Sequence, residues 1–129
     1  PYKFVIINSP VGAYYAEPVR VKIEEFYTRA AVGGVGRAKA AGNYGASLYP
    51  AKLAQQQGFH QLVWTDASTN TYIEESGTMN IMFQIDGVLI TPDEDHDTIL
   101  RGKQNDLLDF LSFAFIILHS EQGVLFEIF

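Results

Sequence analysis

Asn80-Ile81-Met82-Phe83-Gln84-Ile85-Asp86-Gly87-Val88-Leu89-Ile90-Thr91 is the stretch whose reading decides the fold class. Two apolar runs flank Asp86-Gly87, a dipeptide that accepts the positive φ angles of a tight hairpin turn at little steric cost. The stretch therefore predicts strands over residues 80–85 and 88–91. Upstream, residues 61–65 and 71–74 read as two more strands, joined by the polar turn 66–70. Strands linked by such short turns pair antiparallel, because a parallel crossover needs a dozen or more residues. Further back, Val19, Val21 and Ile23 alternate with Arg20, Lys22 and Glu24, the two-residue period of a strand with one wet face. Residues 3–8 form a short apolar run closed by Ser9-Pro10, as a buried strand would be.

Helical signals lie between and after these strands. Ser47 is placed to cap a helix running to about Gln57, with Pro50 in its first turn and Gly58 as its terminator. Residues 30–45 read as a loop, since Gly33, Gly34, Gly36, Gly42 and Gly45 fall among Ala and Val. Residues 92–97 form an acidic loop. Residues 104–118 have helical length, with Phe110, Phe113, Phe115, Ile116 and Ile117 surrounding the helix rather than striping it. A last short strand is expected over 124–128. The sum is α+β: a largely antiparallel mixed sheet with helices.

Composition narrows the function classes. At 129 residues, 47% of them hydrophobic, the chain is long enough for one core and too short for two ordinary domains. Its formal charge of −6 opposes binding to nucleic acid phosphates or to an anionic membrane. The absence of cysteine excludes a disulfide framework and a thiolate nucleophile and fits a reducing compartment, with the cytoplasm as the default. No secretory signal is visible, and the most apolar run, 107–118, falls short of the roughly 20 residues a membrane helix needs. The start at Pro1 suggests a piece of something longer. Asp93-Glu94-Asp95-His96-Asp97 lacks the spacing of a calcium loop, and His60, His96 and His119 lack that of a zinc site, so no metal is expected.

Two segments carry chemistry. In Arg29-Ala30-Ala31-Val32-Gly33-Gly34-Val35-Gly36-Arg37-Ala38-Lys39-Ala40-Ala41-Gly42-Asn43-Tyr44, the lysine sits among small residues with no acidic neighbour nearby in sequence. Enclosure by small apolar groups strips water from an ammonium and favours the neutral amine, a nucleophile toward an aldehyde. In Tyr72-Ile73-Glu74-Glu75-Ser76-Gly77-Thr78-Met79-Asn80, strand alternation sends Glu74 and Glu75 to opposite faces, so one of them points into a site. A buried carboxylate there requires a cation or a strong donor.

Several motifs taken together resemble branched-chain aminotransferases of the fold-type IV group. They are Gly33-Gly34-Val35-Gly36 through Lys39 to Asn43-Tyr44, Gln61-Leu62-Val63-Trp64, Glu75-Ser76-Gly77-Thr78-Met79-Asn80, Leu89-Ile90-Thr91-Pro92 and Thr98-Ile99-Leu100-Arg101-Gly102. The resemblance implies a cofactor, pyridoxal 5'-phosphate, and transfer of the amino group of leucine, isoleucine or valine to 2-oxoglutarate. It implies that Lys39 binds the cofactor aldehyde and shuttles the substrate proton, that Glu75 binds the pyridine nitrogen, and that Tyr44 reaches the phenolate oxygen. Thr78 matches a position that orients the substrate carboxylate; Arg37 and Asn43 are expected near the pocket. The resemblance also implies a homodimer.

The match covers residues 1–102, read as the front part of the cofactor-binding large domain, and fades over 103–129, read as a divergent tail of a helix and a short strand. After Leu100-Arg101-Gly102 the family has an aliphatic residue, Thr and Arg at a helix start, whereas this chain has Lys103-Gln104-Asn105. The main-chain amides of Lys103 and Gln104 remain suited to the cofactor phosphate at a helix start, without the threonine hydroxyl. The alternatives are a catalytically silent aminotransferase-like domain, or another fold-type IV enzyme such as a D-amino acid aminotransferase or aminodeoxychorismate lyase.

Overall fold

The computed structural model describes residues 2–10, 19–77, 79–93 and 97–100, and the backbone of strand Ala114–Ile117. Its elements run β1 (Val21–Glu24), α1 (Ala41–Gln56), β2 (Gln61–Thr65), β3 (Ile73–Ser76), β4 (Ile81–Ile85), β5 (Val88–Ile90) and β6 (Ala114–Ile117). They make an α+β arrangement of two three-stranded sheets, ordered β1-β2-β3 and β5-β4-β6. β1 pairs parallel with β2, through the crossover that contains α1, and β2 pairs antiparallel with β3. β4 pairs antiparallel with β5 and parallel with β6. The antiparallel pairings expected from the short turns are present at β2–β3 and β4–β5, and the other two pairings, β1–β2 and β4–β6, are parallel.

β2 is the strand on which the site is built. Leu62, Val63, Trp64 and Thr65 are all buried, because β2 is central in its sheet and covered on both faces. On one face Leu62 and Trp64 pack with Ala54 of α1 and with Tyr27, Ala51 and Phe59. On the other, Val63 packs with Val19 and Ile81, flanked by Val21, Ile73, Met79 and Phe83, which joins the two sheets. Truncating a fully buried Leu such as Leu62 to Ala costs about 2–5 kcal/mol.

The turns follow their chemistry. Asp86 and Gly87 both have positive φ, and Ile85 pairs with Val88 across them, the two-residue hairpin the sequence predicts. In the β2–β3 turn, the Asp66 carboxylate accepts hydrogen bonds from the amides of Thr69, Thr71 and Tyr72 at 2.7–2.8 Å. Those donors, led by Tyr72, hold the Asp66 carboxyl well below the usual carboxylate range. The end of α1 also matches expectation. Gly58 adopts φ +83°, its amide donates to Gln55, and the Phe59 amide donates to Ala54, which satisfies carbonyls the helix leaves open.

Four expectations are corrected. Residues 3–8 form no strand and are exposed, Phe4 at 88% and Ile7 at 85%: an apolar run becomes a buried strand only where another strand offers it a ladder, and none of the described strands pairs with it. The helix begins at Ala41 rather than Ser47, so Gly42 and Gly45 lie within it and Pro50 is buried deep inside it rather than in its first turn. Ser47 caps nothing; its hydroxyl donates to the Tyr44 carbonyl at 2.9 Å, one turn back. Residues 114–117 are a strand and not the end of a helix, paired parallel with β4 at the edge of the described sheet, since a short apolar run suits a strand as well as a helix; the remainder of 104–118, and all of 124–128, lies outside the described residues. Lastly, Ile23 is exposed while Glu24 is buried, because the Glu24 carboxylate takes the amides of Phe26 and Tyr27, both at 3.1 Å, and closes the strand end.

Candidate active site

Glu75 enters the site from β3, where it pairs in register with Trp64 of β2. The alternation argument holds here: Glu75 is 4% exposed, and Glu74 is only half-buried. One carboxylate oxygen, Oε2, lies 2.9 Å from Arg29 Nε, and the other accepts the Leu100 amide at 2.8 Å. Burial is the largest influence on this carboxyl and pushes it up to about 7, against the opposing pull of Arg29, the Leu100 amide and, more weakly, Lys39; Glu74 adds to the rise. Arg29 and one amide thus compensate the buried anion incompletely, leaving it able to profit from a further donor.

Lys39 belongs to the loop that leads into α1, just before the helix-capping residue Ala40. Its ammonium lies 5.2 Å from the centre of the Tyr44 ring, the distance of a cation–π contact. It also exerts a weak electrostatic pull on the Glu75 carboxyl. The expected enclosure is absent: Lys39 is exposed, because the small residues around it lack the bulk to cover a long side chain. Tyr44, on the first turn of α1, has a buried hydroxyl with no hydrogen-bond partner among the described residues. A buried hydroxyl left without a partner is unusual, and it leaves a donor free for a polar ligand atom.

The lysine loop is seated by close packing and by Asn43. At Gly36 an added Cβ would lie 2.8 Å from the Asp97 carbonyl and 2.9 Å from that of Thr98, so only glycine lets the loop meet the 97–100 turn. The Asn43 amide nitrogen donates to the Gly36 and Ala38 carbonyls at 3.1 and 3.0 Å, and Asn43 Oδ1 accepts from Arg29 Nη1 at 3.3 Å. Arg29 Nη2 donates to the Thr98 carbonyl. Arg37 makes only a half-exposed pair with Asp97 at 3.8 Å, a contact that solvent screens.

Lys39 is thus in contact with the Tyr44 ring, and its loop is tied through Asn43 and Arg29 to Glu75. Thr78, Lys103 and Gln104 lie outside the described residues. Sequence reasoning misses Arg29 as part of the site; the available signal is the need of a buried Glu75 for a cation, together with an arginine at the head of the lysine segment.

Comparison with known proteins accords with this arrangement. The sequence profile of the family described as Amino-transferase class IV matches residues 3–110, and the chain belongs to that family. Within it, the chain is 49% identical over 94 residues to branched-chain-amino-acid aminotransferase 2 of Bacillus subtilis, an alignment covering 70% of this chain and 26% of that protein. It is 43% identical over 114 residues to the branched-chain-amino-acid aminotransferase of Mycobacterium tuberculosis, covering 83% and 31%. Among solved structures, a branched-chain aminotransferase from Thermoproteus uzoniensis with norvaline superposes with a TM-score of 0.64 at 30% identity, over 74% of this chain and 31% of that one. The fold is shared as well with a T.th. branched-chain amino acid aminotransferase with pyridoxamine 5'-phosphate, at a TM-score of 0.58 and 21% identity, over 86% and 37%. The chain spans about a quarter to a third of the length of the relatives it matches.

Proposed function

We propose that this chain is part of a pyridoxal-phosphate-dependent transaminase that moves the amino group between leucine, isoleucine or valine and 2-oxoglutarate. The observation that carries the reading is the contact of the Lys39 ammonium with the ring of Tyr44, whose buried hydroxyl has no partner among the described residues, on a loop tied through Asn43 and Arg29 to the buried Glu75 carboxylate. It is supported by the family and by relatives named as branched-chain aminotransferases, one of them solved with norvaline and another with pyridoxamine 5'-phosphate.

These residue types suit the cofactor. When bound, pyridoxal phosphate supplies an aldehyde that takes up the amino group and a ring that accepts the electron pair left on the α carbon. Lys39 Nζ is the amine that would hold the aldehyde carbon and the base that would carry the α proton. Glu75 holds the proton of the pyridine nitrogen in place and gains in return the donor its burial leaves lacking. Tyr44 Oη orients the ring by donating to its phenolate oxygen. On the sequence resemblance, Thr78 orients the substrate carboxylate and the amides of Lys103 and Gln104 face the phosphate. A cytoplasmic homodimer is the corresponding setting; among the described residues no helix is long and apolar enough to cross a membrane.

A second reading is favoured by the exposure of Lys39: the chain alone holds cofactor without turning substrate over. Mixing with pyridoxal phosphate is expected to give a visible absorption band that Lys39→Ala removes; a folded chain with no such band contradicts the proposal. Amino transfer from leucine to 2-oxoglutarate then separates the active from the silent reading, with a D-amino acid donor as the control for the other fold-type IV chemistry.

A further inference from the structure

The Arg29 guanidinium faces three parts of the fold, through two hydrogen bonds and one ion pair in which Nε makes no hydrogen bond. Nε faces Glu75 on β3 at 2.9 Å, Nη1 donates to Asn43 on α1 at 3.3 Å, and Nη2 donates to the Thr98 carbonyl in the 97–100 turn. The side chain is 7% exposed, so these contacts are made away from water. A planar guanidinium can serve three directions at once; an ammonium on a flexible stem cannot keep them in register.

The contacts continue to the lysine. Asn43, held by Arg29 through its oxygen, uses its amide nitrogen to bind the carbonyls of Gly36 and Ala38, and Ala38 is the residue before Lys39. From the other end, the Leu100 amide holds the second oxygen of Glu75, and Asn80 Nδ2 donates to the Leu100 carbonyl at 3.1 Å. One buried cation therefore stands between the carboxylate and the loop that presents the amine.

We propose that Arg29 is a positioning residue for both reactive groups of the site: it fixes the Glu75 carboxylate directly and sets the Lys39 loop through Asn43. Its relevance to catalysis rests on the transaminase reading; its effect on Glu75 does not. The charged and polar groups acting on Glu75 are Arg29 from the loop after β1, Glu74 from its own strand, Lys39 from the loop before α1 and the Leu100 amide from the turn. Arg29 is the largest of the charges acting on it.

The test is titration of the Glu75 carboxyl by carbon-13 NMR in the full chain without cofactor, alongside amide hydrogen exchange of the lysine loop. Arg29→Met is expected to raise the Glu75 midpoint by about one unit or more. Arg29→Lys preserves volume and charge, which guards against loss of the fold, and is expected to leave the midpoint near that of the parent. It cannot reach Asn43 and Thr98 together, so exchange at Ala38, whose amide donates to the Val35 carbonyl, is expected to quicken roughly tenfold. An unchanged midpoint in folded Arg29→Met, or parental exchange at Ala38 in Arg29→Lys, overturns the proposal. Survival of the cofactor band in Lys39→Ala sinks the transaminase reading instead, and the titration still decides the role of Arg29.

Discussion

Residues 2–10 and the cluster around Arg29 invert the usual relation between polarity and burial. Tyr2, Phe4, Val5, Ile6 and Ile7 are apolar and exposed, whereas Arg29, Asn43, Glu75 and Thr98 are polar and buried. The difference is one of partners. The apolar run pairs with none of the described strands, so its backbone keeps its hydrogen bonds with water and its side chains stay with it. In the cluster, Arg29 pairs with Glu75 and donates to Asn43 and to the Thr98 carbonyl, and Glu75 accepts the Leu100 amide, so these contacts offset part of the desolvation, while Arg29 Nε and Thr98 Oγ1 have no hydrogen-bond partner among the described residues. In these two regions hydropathy alone does not decide which residues are buried.

Removing one partner from the cluster is the strongest way to break that contrast. Arg29→Met leaves Glu75 buried without its cation and is expected to cost about 3–5 kcal/mol in urea unfolding. Adding Glu75→Leu to that variant is expected to restore most of the loss, since a matched apolar pair carries no stranded charge. If the double variant is no more stable than the single one, the ion pair is not the unit that holds the cluster.

Protonation probes the same pair without mutation. The Glu75 carboxyl stands at about 7 in the folded chain against an ordinary 4.5. Between those values the folded chain binds a proton that the unfolded chain has released, so stability declines as pH rises through the window and is level above it. The full effect is on the order of 3 kcal/mol, and Glu75→Gln is expected to flatten it. A stability that climbs over the same range contradicts the assignment.

Smaller effects sharpen the comparison. Gly36→Ala forces a methyl group against the Asp97 and Thr98 carbonyls and is expected to cost about 1–3 kcal/mol, with the lysine loop exchanging its amides faster. Ile6→Ser, in the exposed run, is expected to move stability by less than about 0.5 kcal/mol. A loss as large as that of Gly36→Ala would mean that residues 2–10 are covered in solution, and the contrast between the two regions would fail.

What can be read in advance follows the range of the forces involved. β2 is legible residue for residue, and so are the Asp86-Gly87 hairpin and the stop at Gly58, because each depends on neighbours within a few positions. The start of α1 is not. Gly42 and Gly45 argue locally against helix, and the packing of Ala51 and Ala54 against Leu62 and Trp64 of a distant strand overrides them. That one member of the Glu74-Glu75 pair is buried is legible from alternation once a strand is assumed, whereas the choice of Glu75 rests on the resemblance. Its cation is not, since Arg29 and Glu75 are far apart in the chain. Nor is the exposure of Lys39, because a sequence of small residues states what surrounds a lysine in the chain and not what covers it in space.

The account turns on Lys39 as the amine that meets the cofactor opposite Glu75. The most direct measurement is to equilibrate the folded chain with substoichiometric pyridoxal phosphate, fix the linkage with borohydride, and map the added mass by peptide sequencing. Lys39 is expected to carry the label, with Lys3, Lys22 and Lys52 largely unmodified. Label spread evenly over those lysines, with Lys39 no richer than the rest, would contradict it.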